Sequence, residues 1–162
     1  MEGAPVRFGT AQVHRGGNGL SGHEAKGQVQ DSGGLLLCRD EMTERFQNSK
    51  EGVEQSWRFE HKPQGTGDLE VQVPVKSGQF LGETAQGLHF AQGSTDLGVR
   101  YGHGTWVDAA GQRIAVPARF EVDRIVLRVP ALVVDGSSYP AVLNPIVSPE
   151  LGMDAPVYGP AG

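Results

Sequence analysis

Apolar and polar residues alternate one by one along much of this chain, the period of a β-strand with one buried face. Leu69-Glu70-Val71-Gln72-Val73 is the clearest case, and Pro74 reads as its end or as a sheet edge. Val53-Glu54-Gln55-Ser56-Trp57-Arg58-Phe59 puts Val53, Gln55, Trp57 and Phe59 on one face. The turn Asn48-Ser49-Lys50-Glu51-Gly52 links it to Leu35–Phe46, and together they read as a hairpin. A short helix over Asp40–Lys50, with Met42 and Phe46 four apart, is the competing reading. Further strands are expected at Val6–Val13, Gly27–Gln30, Gln79–Leu81, Leu88–Phe90 and Val99–Tyr101. Others follow at Thr105–Val107, Arg113–Val116, Ala118–Val122, Arg124–Val129 and Tyr139–Leu143. Asp108-Ala109-Ala110-Gly111 and Asp123 supply tight turns between them.

Short valine-rich strands with turn chemistry between them predict an all-β fold, an antiparallel β-sandwich. A partly open barrel and an elongated meander are the alternatives. Three stretches emerge. Residues 1–34 form a Gly-rich segment with one or two strands joining the sheet, residues 35–143 the sandwich core, and residues 144–162 a Pro/Gly-rich linker. Pro145, Pro149, Pro156 and Pro160 carry that last expectation.

Composition narrows the function classes. The 162 residues include 24 Gly and 10 Pro, a density that leaves little room for long helices. With 14 Lys+Arg against 19 Asp+Glu the net charge is −5, which argues against a partner such as nucleic acid. No apolar run approaches the roughly 20 residues of a membrane span. The opening Met1-Glu2-Gly3-Ala4-Pro5 has no signal-peptide pattern, so the protein is either cytosolic or carries its leader ahead of this stretch. Cys38 is single, which excludes an internal disulfide and a CxxC zinc site, and after three leucines it reads as a small buried hydrophobe.

Three motifs raise chemistry. Gly17-Asn18-Gly19-Leu20-Ser21-Gly22 satisfies GxGxxG, but no helix pattern follows it to hold a pyrophosphate, so a loop is expected. Asp31-Ser32-Gly33-Gly34 looks like a trypsin-type nucleophile segment, with too few residues ahead of it for the rest of that site. Asp31, His103 and Ser138 stand in the order of the three subtilase signatures, with Asp31 to orient the imidazole, His103 as base and Ser138 as nucleophile. Only 35 residues separate His103 from Ser138, and no Asn between them supplies an oxyanion donor. His14, His23, His61, His89 and His103 show no metal-ligand spacing. Trp57, Trp106, Phe59, Phe90, Phe120 and Tyr101 fit a core between sheets better than a stacking platform. Arg58, Arg100, Arg119 and Arg128, alternating with Glu54, Glu60, Glu70 and Glu121, suit a solvated face of cross-strand pairs. No catalytic, cofactor-binding or metal-binding residue is therefore expected.

The run from Phe46 to Tyr158 also carries a family likeness. Phe46-Gln47-Asn48-Ser49, Gly52-Val53-Glu54-Gln55-Ser56-Trp57, Thr105-Trp106-Val107-Asp108-Ala109, Val116-Pro117-Ala118-Arg119-Phe120 and Tyr139-Pro140-Ala141-Val142-Leu143-Asn144-Pro145 are its main segments. They resemble an N-terminal β-domain of large secreted or cell-surface bacterial proteins that precedes repeat arrays such as β-propeller-type repeats. Gly152–Pro160 resembles the junction where the repeats begin. The resemblance implies export, downstream repeat domains as partners, and a non-catalytic structural or adhesion role. A module binding cell-surface polysaccharide or protein through an exposed Trp57 or Trp106 is the alternative, and a subtilase-like hydrolase a remote one. One departure stands out, since the relatives tend to have Asp-Pro where this chain has Asn144-Pro145.

Overall fold

In the computed structural model, which describes residues 6–20, 26–29, 34–39, 41–50, 52–92 and 97–150, the alternating segments become strands. In chain order they begin with β1 (Arg7–Phe8), β2 (Gln12–Arg15), β3 (Asn18–Gly19), β4 (Lys26–Val29), β5 (Leu35–Cys38) and β6 (Thr43–Asn48). Next come β7 (Val53–Phe59), β8 (Leu69–Ser77), β9 (Gln79–Thr84), β10 (Gly87–Ala91), β11 (Gly98–Tyr101) and β12 (Gly104–Val107). Then follow β13 (Arg113–Val116), β14 (Ala118–Glu121), β15 (Arg124–Val129), helix α1 (Ala131–Gly136), β16 (Ala141–Asn144) and β17 (Ile146–Glu150). The pairings are antiparallel throughout. Among the described residues, no helix is long and apolar enough to cross a membrane.

Two sheets pack face to face as a sandwich. The smaller runs β14-β15-β8-β2-β3, with β1 also on β8. The larger centres on β7, with β6, β5 and β4 on one side and β16 and β17 on the other. Trp57, Phe59, Leu88, Phe90, Tyr101, Trp106 and Leu143 face inward from the large sheet. Val13, Leu69, Val71, Val73, Ile125, Leu127 and Val129 meet them from the small one. Each such side chain contributes about 1.5–3 kcal/mol by leaving water. Gly104 lies between the layers, where a Cβ would sit 3.2 Å from Leu143 and 3.3 Å from Leu127. Phe80 stacks on Phe120 at 4.4 Å between ring centroids, and Phe90 and Phe8 extend that aromatic cluster.

Several expectations are corrected. The 1–34 segment contributes β1, β2 and β3 to one sheet and β4 to the other, more than one or two strands. Thr43–Asn48 is strand β6, so the helix reading of Asp40–Lys50 fails. The one helix among the described residues is α1, a six-residue stretch after Pro130. Residues 144–150 are sheet and not linker, because β17 pairs with β11 along its length. Its pairing with β7 stops at Val147, so Pro149 lies where that side of the strand needs no N–H. Strand β8 runs through Pro74 to Ser77, because Pro74 faces the gap between β1 and β2. Val53, expected inward, is exposed.

One buried cation ties the small sheet to its neighbours. Arg15 donates from Nη1 to the Pro63 carbonyl at 2.9 Å, from Nε to the Gly67 carbonyl at 3.0 Å and from Nη2 to Asp135 Oδ1 at 2.6 Å. These bonds fix the loop before β8 and helix α1 against β2. The Arg15 guanidinium in turn holds the Asp135 carboxyl below the usual carboxylate range.

Candidate functional site

A one-residue mismatch in the large sheet creates its most irregular surface. Strand β7 meets β16 and β17 in one register, with Leu143 opposite Trp57, Ile146 opposite Glu54, and the Pro145 carbonyl accepting from Gln55 N–H at 3.1 Å. On the far side, Tyr101 faces Val147 while Thr105 faces Asn144. Three residues (Gly102, His103, Gly104) thus oppose two (Pro145, Ile146), which is a β-bulge. The bulge bends the β11–β12 strand and turns His103 outward. Ala118 N–H donates to His103 Nδ1 at 3.0 Å, and Nε2 donates to the Thr84 carbonyl at 2.9 Å. That pairing fixes the neutral Nε2–H tautomer and stitches β9 to β14 across the sandwich edge.

Over the bulge, on the outer face, lies a depression of about 520 Å³ reached by Arg100, Arg113, Glu54, Asn144 and Ser148. It shares Glu54 and Asn144 with a second hollow beside β6, and His103 and Thr105 with a third that turns over the sandwich edge to Arg119 of β14 in the small sheet. The three form a shallow trough that crosses the strands. Arg45, Arg58, Arg100, Arg113 and Arg119 line it against Glu54 and Glu83, and among the described residues no Phe, Tyr or Trp lines it. Arg100 donates to Ser148 Oγ at 3.3 Å and Arg119 to Glu83 at 2.6 Å.

Of the three residues in the order of the subtilase signatures, His103 lines the trough and Ser138 is not among its lining residues. Asp31 lies outside the described residues, as do Ser32 and Gly33 of the other serine motif and Ser21-Gly22 of the GxGxxG run. Asn18-Gly19 of that run is strand β3, in a hairpin with β2. His103 and Ser138 sit at opposite ends of β12, because Ser138 N–H donates to Asp108 Oδ2 at 3.0 Å just beyond Val107. Five residues of extended chain put those ends roughly 16 Å apart. Asp108 Oδ1 also accepts from Ala110 N–H at 3.1 Å and Gln112 N–H at 2.9 Å. The Ser138 N–H, followed by the other backbone donors, holds the Asp108 carboxyl below its ordinary range. Its role is to brace the β12–β13 turn against the segment after α1.

Other candidates resolve by position. Trp57 and Trp106 are fully buried, so neither indole offers a sugar platform, and Trp106 Nε1 donates to Ser137 Oγ at 2.8 Å. Cys38 is exposed and not a buried hydrophobe, since Leu35–Leu37 of β5 lie in an outer wing of the sheet and are only half-buried. His23 lies outside the described residues. His89 is buried with Nε2 2.6 Å from Thr84 Oγ1, and no metal-holding group of His, Cys, Asp and Glu occurs among the described residues. Arg128 and Glu70 form the cross-strand pair their alternation suggested, at 2.9 Å.

Sequence reasoning missed a buried polar chain. Tyr101 donates to Gln55 Oε1 at 2.9 Å, Gln55 Nε2 donates to Glu44 Oε2 at 2.9 Å, and Arg39 Nη2 donates to Glu44 Oε1 at 3.1 Å. Burial, with the Glu44 carboxylate adding to it, pushes the Tyr101 phenol well above its normal range, so it stays a neutral donor. The only sequence signal was a Gln at an inward position of β7, between apolar neighbours. No family model, curated protein or solved structure matches this chain.

Proposed function

We propose that this protein is a non-catalytic β-sandwich module of an exported bacterial protein, serving as a structural or adhesion platform ahead of repeat domains. One observation carries the reading: the polar groups that chemistry would need are spent on the fold. Both ring nitrogens of His103 bond backbone, and the Asp108 carboxylate takes three backbone N–H donors. A general base needs a free lone pair within reach of a nucleophile, and His103 has neither. The resemblance of Phe46–Tyr158 to secreted β-domains supports the cellular setting. The open trough favours a binding role over a bare spacer, and it replaces the buried indoles as the surface to consider.

Two measurements test this. An antibody raised against the folded chain is expected to stain intact cells of the producing bacterium; staining only after permeabilisation would refute the cell-surface assignment. A fluorophosphonate probe is expected to leave Ser138 unlabelled in folded protein, and stoichiometric labelling would restore the hydrolase.

A further inference from the structure

We propose that the outer-face trough of the large sheet binds an acidic polysaccharide, an inference that rests on the surface-module reading and names its ligand class. The register places one row of side chains straight across the strands. Arg45 on β6 faces Ser56 on β7, the β7–β16 register continues to Asn144, and Asn144 faces Thr105 on β12. The row is thus a guanidinium followed by a hydroxyl, an amide and a hydroxyl, spaced by the inter-strand distance of about 4.8 Å. Thr105 in turn faces Ala115 on β13, the strand that carries Arg113. Arg113 lies two residues along from Ala115, so Arg45 and Arg113 stand four strand spacings across and two residues along from each other, roughly 20 Å.

Both arginines are exposed and neither meets a carboxylate: Arg45 donates to Gln47, and Arg113 makes no side-chain hydrogen bond or ion pair among the described residues. Arg58 is paired with Glu60 and Arg119 with Glu83, yet five arginines against Glu54, Glu60 and Glu83 keep the trough basic on a chain of net charge −5. Charge so concentrated against the overall sign selects an anionic ligand.

The floor decides among anions. Hydroxyl and amide groups match a ligand rich in hydroxyls, and Val142 and Ile146 between them give its C–H faces an apolar contact. Nucleic acid fits poorly, because among the described residues no Phe, Tyr or Trp lines the trough for base stacking and both ring nitrogens of His103 are engaged by backbone. A peptide added to the edge strand β13 would run along that strand, whereas the arginine and hydroxyl row runs across the strands, so strand addition does not use it. An extended chain of sugar rings bearing carboxylates meets every feature.

The test uses the purified 162-residue chain in affinity electrophoresis through gels holding polygalacturonate, neutral dextran or a DNA duplex. Polygalacturonate is expected to retard it, with retardation fading as salt rises. The double variant Arg45→Glu/Arg113→Glu weakens the apparent affinity about tenfold. Arg124→Glu, on the other sheet and with half the charge change, leaves it within twofold. Asn144→Asp, which adds one negative charge to the floor at constant shape, weakens it severalfold and serves if the double variant does not fold. No retardation by polygalacturonate, equal retardation by dextran or duplex DNA, or equal loss with Arg124→Glu would each overturn the proposal. None of these touches the surface-module reading, which cell staining decides separately.

Discussion

At Val122 the chain places a β-branched residue at φ 60°, almost fully exposed, in the two-residue turn between Glu121 and Arg124. A left-handed backbone costs an ordinary L-residue about 1–2 kcal/mol, and a branched Cβ raises that. Glycine removes the clash but adds about 0.5–1 kcal/mol of chain entropy to the unfolded state. Val122→Gly is therefore expected to stabilise the protein by about 0.5–1 kcal/mol, read as a rise in the urea midpoint at unchanged m-value. A lower midpoint would show that the valine is held there by a contact worth more than the strain. Residue identity says little about direction, and His103 illustrates this. Its type and its order with Asp31 and Ser138 suggested a base, yet the bulge aims both ring nitrogens at backbone. A bulge depends on the register of three strands, which no local pattern encodes.

The turn after β12 is an element held by one carboxylate. Asp108 accepts from Ser138, Gln112 and Ala110, and these bonds keep its folded-state pKa below the ordinary value of 3.8. Its contribution is complete above that ordinary value and is lost as pH falls through the lower folded-state value. Asp135, held down by Arg15, adds to the same acid limb. Asp108→Asn keeps an acceptor for Ala110 and Gln112 but turns a donor toward the Ser138 N–H. The variant is expected to be less stable at neutral pH and to lose less on acidification from about pH 6 to about pH 3. Parallel pH profiles of the urea midpoint would refute the assignment. Elements were legible where packing on one face repeats: Leu69, Val71 and Val73 are all buried, as their alternation required. They were illegible where pairing overrides local chemistry. Pro149 read as a linker residue, yet β17 holds it with a neighbour on one side only, and the valines of α1 gave no helical signal.

For the whole molecule, one core shared by two sheets means that neither sheet has a reason to persist alone. Leu127 of β15 reaches across to Gly104 of β12, and the buried tryptophans of the large sheet lie in the same core cluster as Val71 and Ile125 of the small one. Leu127→Ala leaves a cavity at that seam and is expected to cost about 2–5 kcal/mol. Because both Trp57 and Trp106 belong to the large sheet, their fluorescence reports its packing, while far-UV circular dichroism reports strands in both. The two urea transitions should coincide before and after the substitution, shifting together to lower denaturant. The indole transition holding its midpoint while the dichroism splits into two steps would mean that the large sheet stands without its partner. The outer trough would then rest on a platform independent of the small sheet. Coincidence instead ties the register that aligns Arg45, Asn144 and Thr105 to the integrity of the whole sandwich.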